Sequence, residues 1–241
     1  MEIHVLGVGE AFDPERPNSS STIAVDGYRL LIDCGSTVPS LLWREYPEPD
    51  IIDAIYFTHL HPDHCFGLGP MLIWWMDHGR QKPLKIYTTR QGRKRLEDVI
   101  RLALWGICET TTFPIEWYDI KEVFMMGPFQ TRFAKTSHSV SNFSIRLEHK
   151  NSGFFYSGDG LPTPASKELM RNADLCFQES YSMQPNTVHF NVEPCLKIVD
   201  ELNLPAMRLY HLSVVDFFAI REVVSFHPRV RLAEAGERIQ I

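Results

Sequence analysis

Three imidazoles and one carboxylate crowd into the six residues His59-Leu60-His61-Pro62-Asp63-His64. Imidazole nitrogen and carboxylate oxygen are ligand types that hold zinc and similar divalent ions. The stretch directly follows Asp53-Ala54-Ile55-Tyr56-Phe57-Thr58, an apolar run that reads as a buried strand. A polar group buried there without a partner would cost on the order of 2–7 kcal/mol. A shared metal site satisfies all four groups together. Pro62 stiffens the turn and helps fix the ligand directions. The plainer reading, a solvated His-rich turn, leaves this density of ligating groups unexplained.

Three later positions repeat the arrangement. His138 follows Arg132-Phe133-Ala134-Lys135, Asp159 lies in Ser157-Gly158-Asp159-Gly160 after Phe154-Phe155-Tyr156, and His211 follows Leu209-Tyr210. Each sits where an apolar strand gives way to a polar loop, the place where sites are commonly built on a rigid sheet. Singly, each has a duller explanation: an exposed histidine, or an aspartate doing turn chemistry between glycines. The recurrence is what points to a metal centre. His4, His78, His149 and His227 lie in segments with no second chemical feature and read as structural or surface residues.

The elements that must position these residues alternate strands with helices. Glu2–Gly7 reads as a strand, and Ser21–Val25 and Tyr28–Asp33 flank Asp26-Gly27, a strong hairpin signal. Further strands are expected at 53–58, 84–88, 129–135, 143–147, 153–156, 175–177 and 207–210, an extended stretch at 113–123, and a closing strand at 230–232. Helical patterns cover 38–46, 67–76, 91–105, 192–202 and 216–225. Two strand-rich halves with intervening helices imply a sheet-on-sheet core covered by helices.

The 241 residues, 44% hydrophobic and 22% charged, suit one globular domain spanning 1–241, with no linker rich in Gly, Ser or Pro. A net charge of −6 excludes a uniformly basic nucleic-acid footprint. Arg90, Arg93, Lys94, Arg95 and Arg101 form one local cluster, read as a solvated helix face. No run approaches the ~20 apolar residues that cross a bilayer, and Met1 leads into a strand, not a secretory leader. Five cysteines without a CxxC read as free thiols in a reducing cytoplasm. Trp74, Trp75, Met76, Trp105 and Phe113 read as core in preference to a pocket wall.

These motifs, from the first strand to the last, resemble the metallo-β-lactamase superfamily. His59, His61, Asp63 and His64 match its HxHxDH signature, Asp33 in Leu31-Ile32-Asp33-Cys34-Gly35 resembles its buried supporting aspartate, and His138, Asp159 and His211 match its later ligands. The resemblance implies an α+β fold, a four-layer αββα sandwich of two mixed β-sheets. It implies two divalent ions, zinc foremost with manganese or iron as alternatives. His59, His61 and His138 would take one ion, Asp63, His64 and His211 the other, and Asp159 both.

Within the superfamily, Leu6-Gly7-Val8-Gly9, Asn18-Ser19-Ser20-Ser21 and Leu232-Ala233-Glu234-Ala235-Gly236 resemble the ribonuclease Z and phosphodiesterase branch. Glu179 in Gln178-Glu179-Ser180 sits where that branch carries an acid that orients a proton-donating histidine, and His189 sits where it carries the histidine. The implied activity is hydrolysis of a nucleotide or other small phosphodiester, with Asp63, His189 and Glu179 catalytic. Ribonuclease Z inserts a long basic arm between its later His and Asp ligands. Only residues 139 to 158 lie between them here, so tRNA is not the expected substrate. Rival readings are a thioester or lactone hydrolase on the same centre, a redox relative and a non-catalytic binding module. His61 argues against the redox relative, because di-iron members carry glutamate there. Relatives are often homodimers, so a homodimer is also an expectation.

Overall fold

The structure is a computed structural model describing residues 1–241. The first half runs β1 (Glu2–Gly7), β2 (Ser20–Val25), β3 (Tyr28–Ile32), α1 (Val38–Glu45), β4 (Ala54–Tyr56), α2 (Pro62–Cys65), α3 (Leu68–Asp77), β5 (Leu84–Thr88), α4 (Arg90–Leu104) and β6 (Ile115–Asp119). The second half runs β7 (Met125–Met126), β8 (Phe129–Lys135), β9 (Phe143–His149), β10 (Ser152–Tyr156), α5 (Pro164–Met170), β11 (Leu175–Glu179), α6 (Val192–Glu201), β12 (Met207–Tyr210), α7 (Phe217–Ser225), β13 (Val230–Leu232) and β14 (Arg238–Gln240). Two mixed seven-stranded sheets result, ordered β14-β1-β2-β3-β4-β5-β6 and β13-β12-β11-β10-β9-β8-β7.

Side-chain alternation divides the apolar residues among three cores, because successive strand residues face opposite ways. Leu30 and Ile32 of β3, Ala54 and Tyr56 of β4, and Phe154 and Tyr156 of β10 point into the space between the sheets. Leu31 and Ile55 face outward onto α1 and α3, joining Leu42, Leu68 and Trp75. Phe155, Met207 and Leu209 face the other way onto α5, α6 and α7, joining Met170, Ile198 and Ile220. Helix, sheet, sheet and helix layers are therefore the four-layer sandwich and the metallo-β-lactamase fold.

The Asp26-Gly27 hairpin forms as read, both residues taking positive φ (47° and 81°), which aspartate and glycine tolerate best. The strand expected over 53–58 contracts to Ala54–Tyr56, and the extended stretch 113–123 to Ile115–Asp119. Val230–Leu232 is not the closing strand. β14 follows it and pairs antiparallel with β1 in the opposite sheet, Ile3 facing Ile239. Helices α2 and α5 and strand β7 also go beyond the sequence reading. The first two are too short for periodicity to register, although α5 carries a local signature: Thr163 and Ser166 form a capping box with Pro164 at its first position.

Fully buried Arg80 ties α3 to the first sheet without a carboxylate partner in contact. Its guanidinium donates to the carbonyls of Lys82 (2.9 Å), Pro49 (2.7 Å), Ile52 (2.8 Å) and Pro83 (3.2 Å). It also lies 4.8 Å from the centre of the Trp75 ring and 5.2 Å from that of Phe113. Arg80→Met would fill the volume and strip four carbonyls of their donor. With unmet buried acceptors costing ~1–3 kcal/mol each, partly relieved by water, a net loss of roughly 3 kcal/mol is expected. Thermal denaturation should then shift down by about 6–12 °C. A shift under 2 °C would show that the clamp is dispensable.

Candidate metal centre

Every sequence-predicted ligand lies at one edge of the sandwich, and strand direction explains why. β3, β4 and β5 run parallel, as do β10, β11, β12 and β13. β8 is antiparallel to β9, which is antiparallel to β10, so β8 ends at the same edge as β10. Asp33 follows β3, His59–His64 follow β4, His138 follows β8, Asp159 follows β10, Glu179 ends β11 and His211 follows β12. The carboxyl ends of parallel strands are where α/β sheets characteristically build their sites. The two sheets are stitched together there. Phe143 N–H donates to Thr58 O (3.1 Å) and His211 N–H to Val8 O (2.9 Å).

Two ligand groups converge. His59 Nε2 lies 3.2 Å from His61 Nδ1, which lies 3.1 Å from His138 Nε2. Asp159 Oδ2 stands 3.7 Å and 3.9 Å from the His59 and His138 nitrogens. Ligands around a tetrahedral zinc at ~2.0–2.1 Å lie about 3.3–3.4 Å apart, close to these spacings. In the second group Asp63 Oδ2 is 3.3 Å from His64 Nε2 and 3.2 Å from His211 Nε2. Asp159 Oδ1 is 3.5 Å from His64 Nε2, and its Oδ2 is 3.4 Å from His211 Nε2. Asp159 therefore belongs to both groups. Each group also draws on both sheets: the β4 loop supplies His59, His61, Asp63 and His64, and the second sheet supplies His138, Asp159 and His211.

The residues fit a pair of cations on their own chemistry. His64 Nε2 and Asp159 Oδ1 are buried and have no hydrogen-bond partner, an arrangement that is costly unless an ion meets them. The far ring nitrogens are occupied in a way that frees the near ones. His138 Nδ1–H donates to Val188 O (2.7 Å) and His64 Nδ1–H to Asp33 Oδ2 (2.8 Å). His59 Nδ1–H donates to Thr58 Oγ1 (3.0 Å), which donates onward to Asp33 Oδ2 (2.8 Å). Burial pushes His59, His61 and His138 below the ordinary imidazole range, towards the neutral form that binds metal. Burial alone would raise the Asp63 carboxyl, but hydrogen bonds with His211 and His64 outweigh it and hold it well below the usual carboxylate range.

Asp33, fully buried, orients both His59 and His64 while also accepting from Thr58 N–H (2.8 Å). Asp33→Asn keeps the shape but weakens those bonds. Such supporting changes lower metal affinity by ~10–100-fold, and that loss is expected in a competition titration with a chromogenic chelator. Unaltered affinity would make Asp33 a folding residue only.

Beside the ligands, Glu179 is completely buried and its Oε1 is hydrogen-bonded to His189 Nδ1. Its Oε2 accepts from the backbone N–H groups of Gly160 and Phe190, both at 3.0 Å. Gly160 is required there. Its φ is +99°, and a Cβ would stand 2.5 Å from Ser137 O. Asp159, Glu179, His189 and His211 also come close enough to form a third ligand group. The lone pairs of Glu179 are already committed to three N–H donors, however, which favours an orienting pair over a third ion.

Some functional contacts had no signal in the sequence. Asn142, fully buried, accepts from Asp159 N–H (3.1 Å) and donates to Thr136 Oγ1 (2.7 Å) and Ser157 O (3.0 Å), fixing the Asp159 loop. Tyr181 stacks on His189 at 4.6 Å between ring centres, and the His211 ring lies 5.6 Å from His189 and 6.2 Å from Tyr181. Neither residue stands in a recognisable motif.

Known proteins place this site in context. Residues 1–215 match the family model described as "Anti-Pycsar protein Apyc1". The Apyc1 protein of Paenibacillus harenae is 25% identical over 256 residues, covering 100% of both chains. Ribonuclease Z of Bacillus cereus (strain B4264) is 31% identical over 159 residues, which is 63% of this chain and 50% of that one. The matched region thus spans about half the length of that relative. Among solved structures, the metallo-β-lactamase fold protein YhfI from Bacillus subtilis superimposes with a TM-score of 0.82 at 24% identity, covering 99% of this chain and 98% of that one. A diphosphatase from the PhnP family superimposes at 0.77 and 20% identity, covering 100% and 97%. With a family match over most of its length and a His/Asp metal site at the edge of a metallo-β-lactamase sandwich, the chain belongs to the Anti-Pycsar Apyc1 family of metallo-hydrolases, related in sequence to ribonuclease Z.

Proposed function

We propose that this protein is a metal-dependent phosphodiesterase acting on small nucleotides, with cyclic nucleotides the foremost class. The observation that carries the reading is the Glu179–His189 pair beside a two-group ligand cluster. A leaving alkoxide needs a proton, whereas thioester and lactone cleavage needs less help, so a dedicated donor favours a phosphodiester. Among relatives, ribonuclease Z and the PhnP-family diphosphatase are named for phosphate-ester or anhydride chemistry. The interval between His138 and Asp159 is taken up by the β9–β10 hairpin, leaving no tRNA-gripping arm in that position.

His59, His61, His138 and Asp159 would hold one divalent ion, and Asp63, His64, His211 and Asp159 the other. Such ions lower the pKa of water to about 7 and neutralise charge on phosphoryl oxygens. Asp63 would also orient the attacking water. Because Glu179 engages His189 at Nδ1, the Nε2 atom is the one left to pass a proton to the departing ester oxygen as the P–O bond breaks. Zinc as the native metal, a homodimer, a single domain and a cytoplasmic location belong to the same proposal. No helix is long and apolar enough to cross a membrane, and all five cysteines are free.

The test is a parallel assay of the zinc- and manganese-loaded protein. Substrates are 3′,5′-cyclic nucleotides, bis-p-nitrophenyl phosphate, a thioester and a chromogenic β-lactam. Diester cleavage should exceed thioester and β-lactam cleavage in kcat/KM by about 100-fold or more, the scale of an added general acid. The reverse order would overturn the reading in favour of acyl transfer.

A further inference from the structure

All five basic residues of the α4 cluster are exposed, as a solvated helix face requires, but their partners differ. Arg90 pairs with Asp119 (3.0 Å) and with Glu122. Arg93 pairs with Glu97 (2.7 Å) and lies over the Trp117 ring, and Arg101 pairs with Asp98. Arg95 has neither an ion pair nor a hydrogen bond. It lines a cavity of about 630 Å³ between the first turns of α4 and the metal-ligand loops. That volume falls in the range of small-molecule sites, ~300–1,000 Å³.

None of the seven ligands lines the cavity, but residues flanking them do. Its wall includes Leu60, between ligands His59 and His61, and Ser139, next to ligand His138. Ser139 Oγ lies 3.4 Å from His61 Nε2, the ring nitrogen turned away from the ligand cluster. Phe66, at the end of α2, presents 52% of its surface to solvent at this mouth, and Val140 39%. Phe66 follows the ligand helix, lies two residues past ligand His64 and belongs to none of the three cores, so its exposed ring face is free to meet a ligand. A guanidinium donates and cannot accept, so its partner must carry oxygen or unprotonated nitrogen acceptors.

We infer that this cavity binds the nucleoside portion of the substrate, with Phe66 stacking on the base and Arg95 donating to the acceptor atoms of the base edge. The inference rests on the phosphodiesterase reading and deepens it. With the phosphodiester at the ions, the cavity beside His61 receives the rest of the molecule. Phe66 and Arg95 thus set specificity, and the metal ligands carry the bond cleavage. Base–aromatic stacking is sequence-tolerant, while Arg favours acceptor-rich edges such as guanine O6 and N7. A guanine nucleotide should therefore be held more tightly than its adenine counterpart.

The experiment compares the metal-loaded wild type with Phe66→Ala, Arg95→Ala, the conservative Phe66→Tyr, and Lys94→Ala as a control from the same helix turn outside the cavity. Each is assayed on 3′,5′-cyclic GMP and on methyl p-nitrophenyl phosphate, which has no nucleoside, and cyclic GMP binding is titrated calorimetrically. Phe66→Ala and Arg95→Ala should each raise KM and the dissociation constant for cyclic GMP by roughly tenfold or more, with kcat within about threefold. Selectivity for cyclic GMP over the model diester should fall accordingly, while Phe66→Tyr and Lys94→Ala keep wild-type selectivity. Cleavage of cyclic GMP with equal selectivity in all variants overturns the pocket assignment and leaves the phosphodiesterase reading standing. So does wild-type cleavage of the model diester with no affinity for cyclic GMP. A wild type that binds cyclic GMP without cutting it decides the pocket through the binding titration alone. Failure of the wild type to cut or bind any diester removes both.

Discussion

Asp159→Ala is expected to abolish stable occupancy of both ions and to lower diester turnover by a factor on the order of 10³ or more, since it removes most of the metal's contribution. The expectation follows from the position of a single carboxyl. Its two oxygens approach His59, His138, His64 and His211 at 3.4–3.9 Å, so no other residue contacts both ligand groups so fully. Three of the surrounding imidazoles also set its charge. Burial alone would raise the carboxyl, but neighbouring His211, His64 and His59 hold it well below the usual carboxylate range. Removing it leaves His59 and His138 without a neighbouring ligand carboxylate, while His64 and His211 keep only Asp63. Metal content by plasma emission after dialysis, read beside turnover, decides the matter. A variant that keeps its full complement of metal and more than a tenth of its activity would disprove a shared bridging ligand.

His189→Ala should separate metal binding from chemistry. His189 is committed to Glu179 through Nδ1 and is not one of the seven assigned ligands, so metal content should hold. Turnover of diesters with alkoxide leaving groups should fall by ~10²–10⁴, the range of a lost general acid. With p-nitrophenolate as leaving group, which departs without a proton, the loss should stay below about tenfold. Equal losses on both substrate types would remove proton donation from His189. Loss of metal would instead assign His189 to the third ligand group with Asp159, Glu179 and His211. Glu179→Gln would leave a neutral amide beside the ring and is expected to give a smaller loss of the same leaving-group dependence.

How much of this was legible in the sequence depended on whether a feature was local. The HxHxDH cluster was readable because its residues are adjacent and lie against an apolar strand. His138, Asp159 and His211 were readable only through their shared position after strands, and the structure brings all three to the first cluster. Most strands were readable from apolar runs bounded by turn residues. β14 was not, because it is three residues long and its pairing with β1 spans nearly the whole chain. Asn142 and Tyr181 were invisible for the same reason: each acts on a partner that only the tertiary fold places beside it. The α4 basic cluster is exposed, as read, but its partners were not legible. Charge counts cannot tell Arg93, neutralised by Glu97, from Arg95, which faces a cavity.

Each ligand group takes residues from the loop after β4 and from loops of the opposite sheet. A cation seated in either group would consequently fasten one half of the sandwich to the other, as a clasp closes two covers. Ligands that bind only the folded state stabilise it by RT ln(1 + [L]/Kd), about 4 kcal/mol at a thousandfold excess over Kd. Chelation should therefore loosen the whole molecule as well as silence it, and backbone amides of β4 and β12 should exchange with deuterium faster together, despite lying in different sheets.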